Sequence, residues 1–315
     1  MTECHLANML DTIVLLLHKD TFQITEPDKF APSARWAFQN TLGESRGVLS
    51  KQNPKKKELL AGVYKPRLTL SHRYKPQGEK EITLRVEVSL PKLLFGNNFN
   101  ELKSKDFSAV TKKLAASLKE MGIEIAQKDL AQADVLTVHY SKNIALKDGS
   151  TPYHFINKIK EANISLSLDV NQTDYRNEGH SYRWHCNAYE VVFYDKIKDL
   201  EKAKQSDKRT LEKDNTVQLD IFDQLANRKK KLEILRMEVR LNKRQKMKQL
   251  FTKLGIKLDF MFKGLFKPVI SRKVLLHYFD ELESKRPPLY DYRATSDKSM
   301  LTSLILNNPV KMFTV

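Results

Sequence analysis

The sequence predicts an α+β fold: a mixed or antiparallel sheet with helices on one face, followed by a helical C-terminal extension. Three observations predict it. Several segments alternate apolar and polar residues with period two and are rich in β-branched types, the pattern of half-buried strands. Helical stretches lie between and after them, and no strand reads as the continuous apolar run that a parallel sheet buried on both faces requires. The polar faces of the strands carry ionisable side chains at mid-strand, so the second face of the sheet is expected to meet a ligand.

In chain order, strands are predicted at Asp11–Leu17, Val63–His72, Glu81–Leu90, Val135–Ile144, Ile164–Val170, Tyr182–Tyr194 and Leu232–Leu241. Residues 51–60, KQNPKKKELL, read as an exposed basic loop entering a short helix. Phe107–Met121 sets Val110, Leu114, Leu118 and Met121 at helical spacing, and Gly122 follows as a stop signal. Residues 198–231 are highly charged and sparsely apolar, which predicts a protruding helical arm. From Lys246 onward the chain reads as helical, punctuated by Pro268, Pro287 and Pro288. The division expected is one domain over 1–250, with the arm inserted, and a helical extension over 251–315. There is no internal repeat and no low-complexity tract.

The chain has 315 residues, with 55 Lys and Arg against 38 Asp and Glu, a net charge of +17. Such an excess favours a polyanionic partner, because neutralising phosphates releases condensed counterions. A membrane surface is not the expected polyanion, since no basic amphipathic helix with a Trp/Phe/Leu face is present. The apolar stretch Thr12–Leu17 is too short to span a bilayer and lacks a basic lead-in. Cys4 and Cys186 are far apart and form no framework, which fits a reducing compartment: bacterial or host-cell cytoplasm. Charge names a class of partner and no chemistry.

The chemistry lies on the polar strand faces. In LRVEVSL, Arg85, Glu87 and Ser89 share one face; in LTVHY, Thr137 and His139 do; in LRMEVRL, Arg236, Glu238 and Arg240 do. In VVFYDK, Val192, Tyr194 and Lys196 alternate with Val191, Phe193 and Asp195. A single charged residue on such a face is ordinarily a side chain solvated at the edge of a half-exposed sheet. Two carboxylates, an imidazole and a Tyr/Lys pair together suit a phosphoryl-transfer site, with Glu87, His139 and Glu238 holding Mg²⁺ or Mn²⁺. A tyrosine of ordinary pKa near 10 needs a cation or base to become a nucleophile, and Lys196 is the cation expected beside it.

At these residues the chain resembles the gene-two-type replication endonucleases of filamentous phages and their plasmid relatives. The similarity runs through MLDTIVL (Met9–Leu15), EVSLPKLLFGN (Glu87–Asn97), VLTVHYSKNI (Val135–Ile144), VVFYDKIKDLE (Val191–Glu201) and LRMEVRL (Leu235–Leu241), in order, over roughly residues 9 to 265. The resemblance implies a ferredoxin-like nickase fold. It further implies site-specific nicking and rejoining of DNA to start rolling-circle replication, with single-stranded or melted origin DNA as partner alongside a host helicase or polymerase. Tyr194 would form the phosphotyrosine link, Lys196 would orient or neutralise the phosphate, and Glu87 and Glu238 would help hold the metal. His139 stands where the family usually has an aspartate. The His-hydrophobe-His triplet of the wider nickase superfamily is absent, leaving His72, His180 and His185 as alternative ligands.

Ten cations against Glu233 and Glu238 mark Arg228–Lys248 as a phosphate-contacting stripe, drawn from Lys229, Lys230, Lys231, Arg236, Arg240, Lys243 and Arg244. Tyr182, Trp184 and Tyr189 are core aromatics in the commoner case and base-stacking platforms in the other. Asn97 and Asn98 read as turn residues after Gly96. Two other functions stay open: a non-catalytic origin-DNA-binding regulator of the same fold, and an RNA-binding module.

Overall fold

The computed structural model describes residues 7–8, 10–38, 48–74, 80–146, 149–160, 172–176, 178–205 and 232–284. Its centre is a nine-stranded sheet in which every pairing is antiparallel. The strands are β1 (Leu10–His18), β2 (Leu49–Gln52), β3 (Arg67–Tyr74), β4 (Lys80–Ser89), β5 (Asp134–Leu146), β6 (Gln172–Arg176), β7 (Ser181–His185), β8 (Tyr189–Asp195) and β9 (Glu233–Leu241). Their spatial order is β6-β7-β8-β9-β5-β1-β4-β3-β2, so β1, β5 and β9 form the middle.

One face is apolar because the period-two pattern sends every second side chain there. Leu84, Val86 and Val88 of β4, Val138 and Tyr140 of β5, and Leu235, Met237, Val239 and Leu241 of β9 are all buried. The helices that frame the sheet include α1 (Leu90–Phe95), α2 (Phe107–Glu120), α3 (Pro152–Lys160), α4 (Lys196–Gln205), α5 (Arg244–Lys253) and α6 (Pro268–Ser284). Val110, Leu114 and Leu118 of α2 and Ile156 and Ile159 of α3 join the same core, as do Val274, Leu275 and Tyr278 of α6. Burying one such side chain stabilises by roughly 1.5–3 kcal/mol. Helices follow Lys246 as far as Ser284, resting on β5 and β9 and sharing the sheet's core, while residues 285–315 of the expected extension, with Pro287 and Pro288, lie outside the described residues.

Gly122 ends α2 as expected, for a sharper reason than helix propensity. Its φ is +81°, and a Cβ there would meet the Glu26 Cβ at 2.6 Å. Two strand predictions need correction. Tyr182–Tyr194 is not one strand but the hairpin β7–β8, turning at Cys186–Ala188. The predicted Val63–His72 strand begins later, at Arg67, directly after Pro66, whose nitrogen cannot donate to a ladder. Ile164–Val170 and residues 206–231 of the expected arm lie outside the described residues. Among the described residues no helix is long and apolar enough to cross a membrane.

Candidate active site

The site is built on the polar face of β8, β9 and β5. With Leu235, Met237, Val239 and Leu241 in the core, Arg236, Glu238 and Arg240 face the other way. Register sets what each meets. Arg236 lies opposite Tyr194 of β8 and Asn143 of β5; Glu238 opposite Val192 and Ser141; Arg240 opposite Glu190 and His139. Tyr194, Arg236 and Asn143 are therefore one row across three strands.

Arg236 is the hub and is 2% exposed. Its Nη1 donates to the Asn98 carbonyl at 2.8 Å and Asn143 Oδ1 at 3.0 Å. Its Nη2 donates to Asp11 Oδ2 and Ser141 Oγ, both at 2.7 Å. Burial works against the charged guanidinium, but Tyr194, Asp11 and Glu238 outweigh it and keep the group protonated. Asp11 reaches this face through a β-bulge. The register of β1 against β5 shifts between Leu10 and Ile13, so Leu10 and Ile13 both enter the core while Asp11 turns to Arg236. Ser89 Oγ donates to the other Asp11 oxygen at 3.2 Å.

Glu238 accepts from Arg240 at both oxygens, Nε–Oε1 at 3.1 Å and Nη2–Oε2 at 3.2 Å. Burial would raise its carboxyl, but Arg240, Arg236 and His139 together hold it well below the usual carboxylate range. His139 Nδ1 stands 3.7 Å from Glu238 Oε1. Burial is the main influence on that imidazole and pushes its pKa down, against the pull of Glu238.

Tyr194 keeps part of its surface in solvent at the rim of this network. Burial of the phenol raises its pKa well above the ordinary value, with Arg236 pulling the other way. Lys196 is not on the Tyr194 strand face. The chain turns into α4 at this point because Asp195 Oδ1 accepts the amides of Ile197 and Lys198, both at 3.0 Å. The turn nonetheless brings Lys196 Nζ to 5.9 Å from the centre of the Tyr194 ring. Lys196 is wholly buried, its Nζ donates to Asn98 Oδ1 at 2.7 Å, and burial, reinforced by Arg236, pushes its pKa down to about 7.

Asn98 belongs to a loop that closes the site. Helix α1 ends at Gly96, whose φ of +72° no bulkier residue adopts without strain. The turn that follows delivers Asn98 to Lys196 and Arg236. Phe99 O accepts from Asn143 Nδ2 at 2.8 Å, and Glu101 accepts the Asn143 amide at 3.0 Å and Lys142 Nζ at 2.6 Å.

The expected metal trio is not assembled. His139 and Glu238 are neighbours, but Glu87 lies on β4, with β1 and β5 between it and β9. At the ordinary strand spacing that separates Glu87 from Glu238 by about 14 Å. Glu87 is half-exposed and pairs with Arg85 at 3.8 Å. Among the described residues no three His, Cys, Asp or Glu side chains group as ligands of one ion. The three residues do not fit one coordination sphere.

The expected phosphate stripe also divides. Arg236 is a buried strut. Arg240 is tied to Glu238 and to Glu190 at 3.2 Å, and Arg244 donates to Asp134 at 2.8 Å. Lys243 is exposed, and Lys229, Lys230 and Lys231 lie outside the described residues. Tyr182, Trp184 and Tyr189 are core residues, at 8%, 1% and 1% exposure, which removes them as stacking platforms. His72 is buried beside Trp36, and His180 Nδ1 pairs with Asp195 at 3.3 Å. Sequence reasoning missed Asp11, Ser141 and Asn143, and read Asn98 only as a turn residue.

No family model, no curated protein and no solved structure matches the chain.

Proposed function

We propose that the protein nicks and rejoins DNA through a covalent tyrosyl intermediate at Tyr194, initiating rolling-circle replication of a phage or plasmid. One observation carries this reading. Tyr194 stands at the rim of a buried polar network, in register with Arg236 and with Lys196 Nζ over its ring, in a chain of net charge +17. A phenol so placed has neighbouring cations to stabilise phenolate character as it reacts, and a chain so basic draws nucleic acid to it.

In the step proposed, the Tyr194 oxygen bonds to phosphorus as the bond from phosphorus to one deoxyribose oxygen breaks. The phenolic proton passes to solvent, and the departing deoxyribose oxygen takes one up to become a hydroxyl. Rejoining is the reverse. Lys196 and Arg236 stabilise the charge that develops on the phosphate oxygens, where fixed cations in a water-poor site act most strongly. The network of Asp11, Ser141 and Asn143 holds Arg236 in one geometry, so little reorganisation is needed as charge moves.

The test is covalent capture on single-stranded DNA, with Mg²⁺ or Mn²⁺ supplied. Wild-type protein is expected to yield a denaturation-resistant protein–DNA adduct, and Tyr194→Phe to yield none while binding DNA nearly as well. Adduct from the Phe variant at the wild-type level would refute the assignment. DNA binding with no adduct from either protein would favour the non-catalytic regulator.

A further inference from the structure

The outer face of α6 is more apolar than a surface helix needs. Ile270, Val274, Leu275, Tyr278 and Leu282 recur at helical spacing, are buried, and join the sheet's core. The opposite side carries Val269, Leu276 and Phe279, which are 57%, 44% and 37% exposed. Among the described residues no other helix exposes as many large apolar side chains. Helix α5 shows the ordinary pattern, with Gln245, Lys248, Gln249, Thr252 and Lys253 at its exposed positions.

Charge on the outer face of α6 is ordered along the helix. Arg272 and Lys273 lie towards its start and Asp280 towards its end, all exposed. At 3.6 residues per turn, Val269, Lys273, Leu276 and Asp280 fall on one stripe about 60° wide, flanked on one side by Arg272 and Phe279. Nucleic acid would set its phosphates against Asp280 and gain nothing from Leu276. A bilayer surface would meet the same acid in the middle of its contact.

A second copy of this chain fits the pattern. With two α6 helices antiparallel about a two-fold axis through Leu276, that leucine meets its own counterpart. Lys273 then comes opposite Asp280 of the second copy, and Arg272 opposite the Phe279 ring of the second copy, a cation–π pairing. Each contact repeats across the axis, as a self-complementary interface requires. Parallel helices would set Lys273 against Lys273 and Asp280 against Asp280, so the order of charge selects the antiparallel arrangement.

We infer that the protein forms a two-fold dimer through the outer face of α6, with Leu276 on the axis. The stripe from Val269 to Phe279 is about 15 Å long. That is small for a permanent interface, so a Kd of about 10–100 µM is expected. Because α6 packs on the apolar face of the sheet, this pairing leaves the polar face with Tyr194 open in each copy. The dimer does not depend on what Tyr194 does.

The experiment is sedimentation equilibrium of the full chain without DNA, from well below to well above that Kd. Wild-type protein is expected to pass from monomer to dimer. Leu276→Glu places two carboxylates on the axis and is expected to raise Kd about thirtyfold or more. Lys273→Glu and Asp280→Lys each turn two attractions into two repulsions and are expected to weaken the dimer about tenfold. The two changes together are expected to return Kd to within about threefold of wild type. All three side chains are exposed, and far-UV circular dichroism checks that each variant is folded. A wild-type protein that stays monomeric overturns the inference without any variant. A dimer indifferent to Leu276→Glu, a double variant no tighter than the single ones, or growth beyond the dimer overturns it as well.

Discussion

Two heptads of this chain are nearly the same and end in opposite places. LRVEVSL on β4 and LRMEVRL on β9 both put a glutamate at mid-strand, two residues after an arginine and on the same face of the sheet. Glu87 has a side chain 46% exposed and meets Arg85 loosely, whereas the Glu238 side chain is 4% exposed and clasped at both oxygens by Arg240. The difference lies in their neighbours. β9 is flanked by β8 and β5, which set Glu190, His139 and Ser141 beside it; α4 follows β8 to its edge, and the 96–101 loop closes over Arg236. β4 is flanked by β1 and β3, which present Val14 and Arg67 opposite Glu87. The same local sequence is a surface pair in one half of the sheet and part of a site in the other.

Substitution at the two glutamates gives the largest contrast. Glu238→Ala leaves Arg240, Arg236 and His139 without their shared anion in a buried setting, and is expected to cost about 3–5 kcal/mol in urea unfolding. Glu87→Ala is expected to cost less than about 0.5 kcal/mol. Equal losses would erase the distinction between the halves.

The pH dependence of stability sharpens it. The Glu238 carboxyl is depressed in the fold, so its contribution is present above the unfolded carboxylate pKa, near 4.3, and is lost as pH falls below that range. The acid limb of wild-type unfolding is expected to flatten in Glu238→Gln and to keep its slope in Glu87→Gln. Lys196 works in the opposite range. Its folded pKa, pushed down to about 7, lies below the unfolded value of 10.5, so the unfolded chain holds the extra proton between the two. Stability is therefore expected to rise with pH across that window and to lose this rise in Lys196→Met.

The smallest effect is expected at the loop that only the buried half has. A Cβ at Gly96 meets nothing within 4 Å, so Gly96→Ala carries only the strain of the positive φ, about 1 kcal/mol. A loss of several kcal/mol in thermal unfolding would mean that the turn bears packing as well.

How much of this was legible in the sequence follows from the range of each cause. Period two placed β1, β4, β5 and β9 within a few residues and assigned Arg236, Glu238 and Arg240 to one face. The alternation also carried the warning that β7 and β8 are separate: core positions fall on even numbers at Tyr182 and Trp184 and on odd numbers at Tyr189, Val191 and Phe193. That switch of parity marks the turn, without glycine or proline to announce it. Asp11 was hidden because strict alternation groups it with Ile13 and Leu15, and only the pairing partner reveals a bulge. The placement of Lys196 beside Tyr194 came out through a different geometry from the one expected, since Asp195 starts a helix where the strand pattern appeared to continue. Glu87 failed as a partner of Glu238 because sheet order is set by long-range pairing, which a heptad does not encode. Asn98 bridges Lys196 and Arg236 across 98 and 138 residues of chain, a distance over which no local signal reaches.

A tyrosyl intermediate requires that the DNA be joined to the Tyr194 oxygen and to no other atom. Wild-type protein would be reacted with single-stranded DNA, digested with protease and nuclease, and the nucleotide-bearing peptide sequenced by mass spectrometry. The mass of the nucleotide remnant is expected on Tyr194, in the peptide that contains VVFYDK. A remnant on another residue, with Tyr194 recovered unmodified from adducted protein, would contradict it.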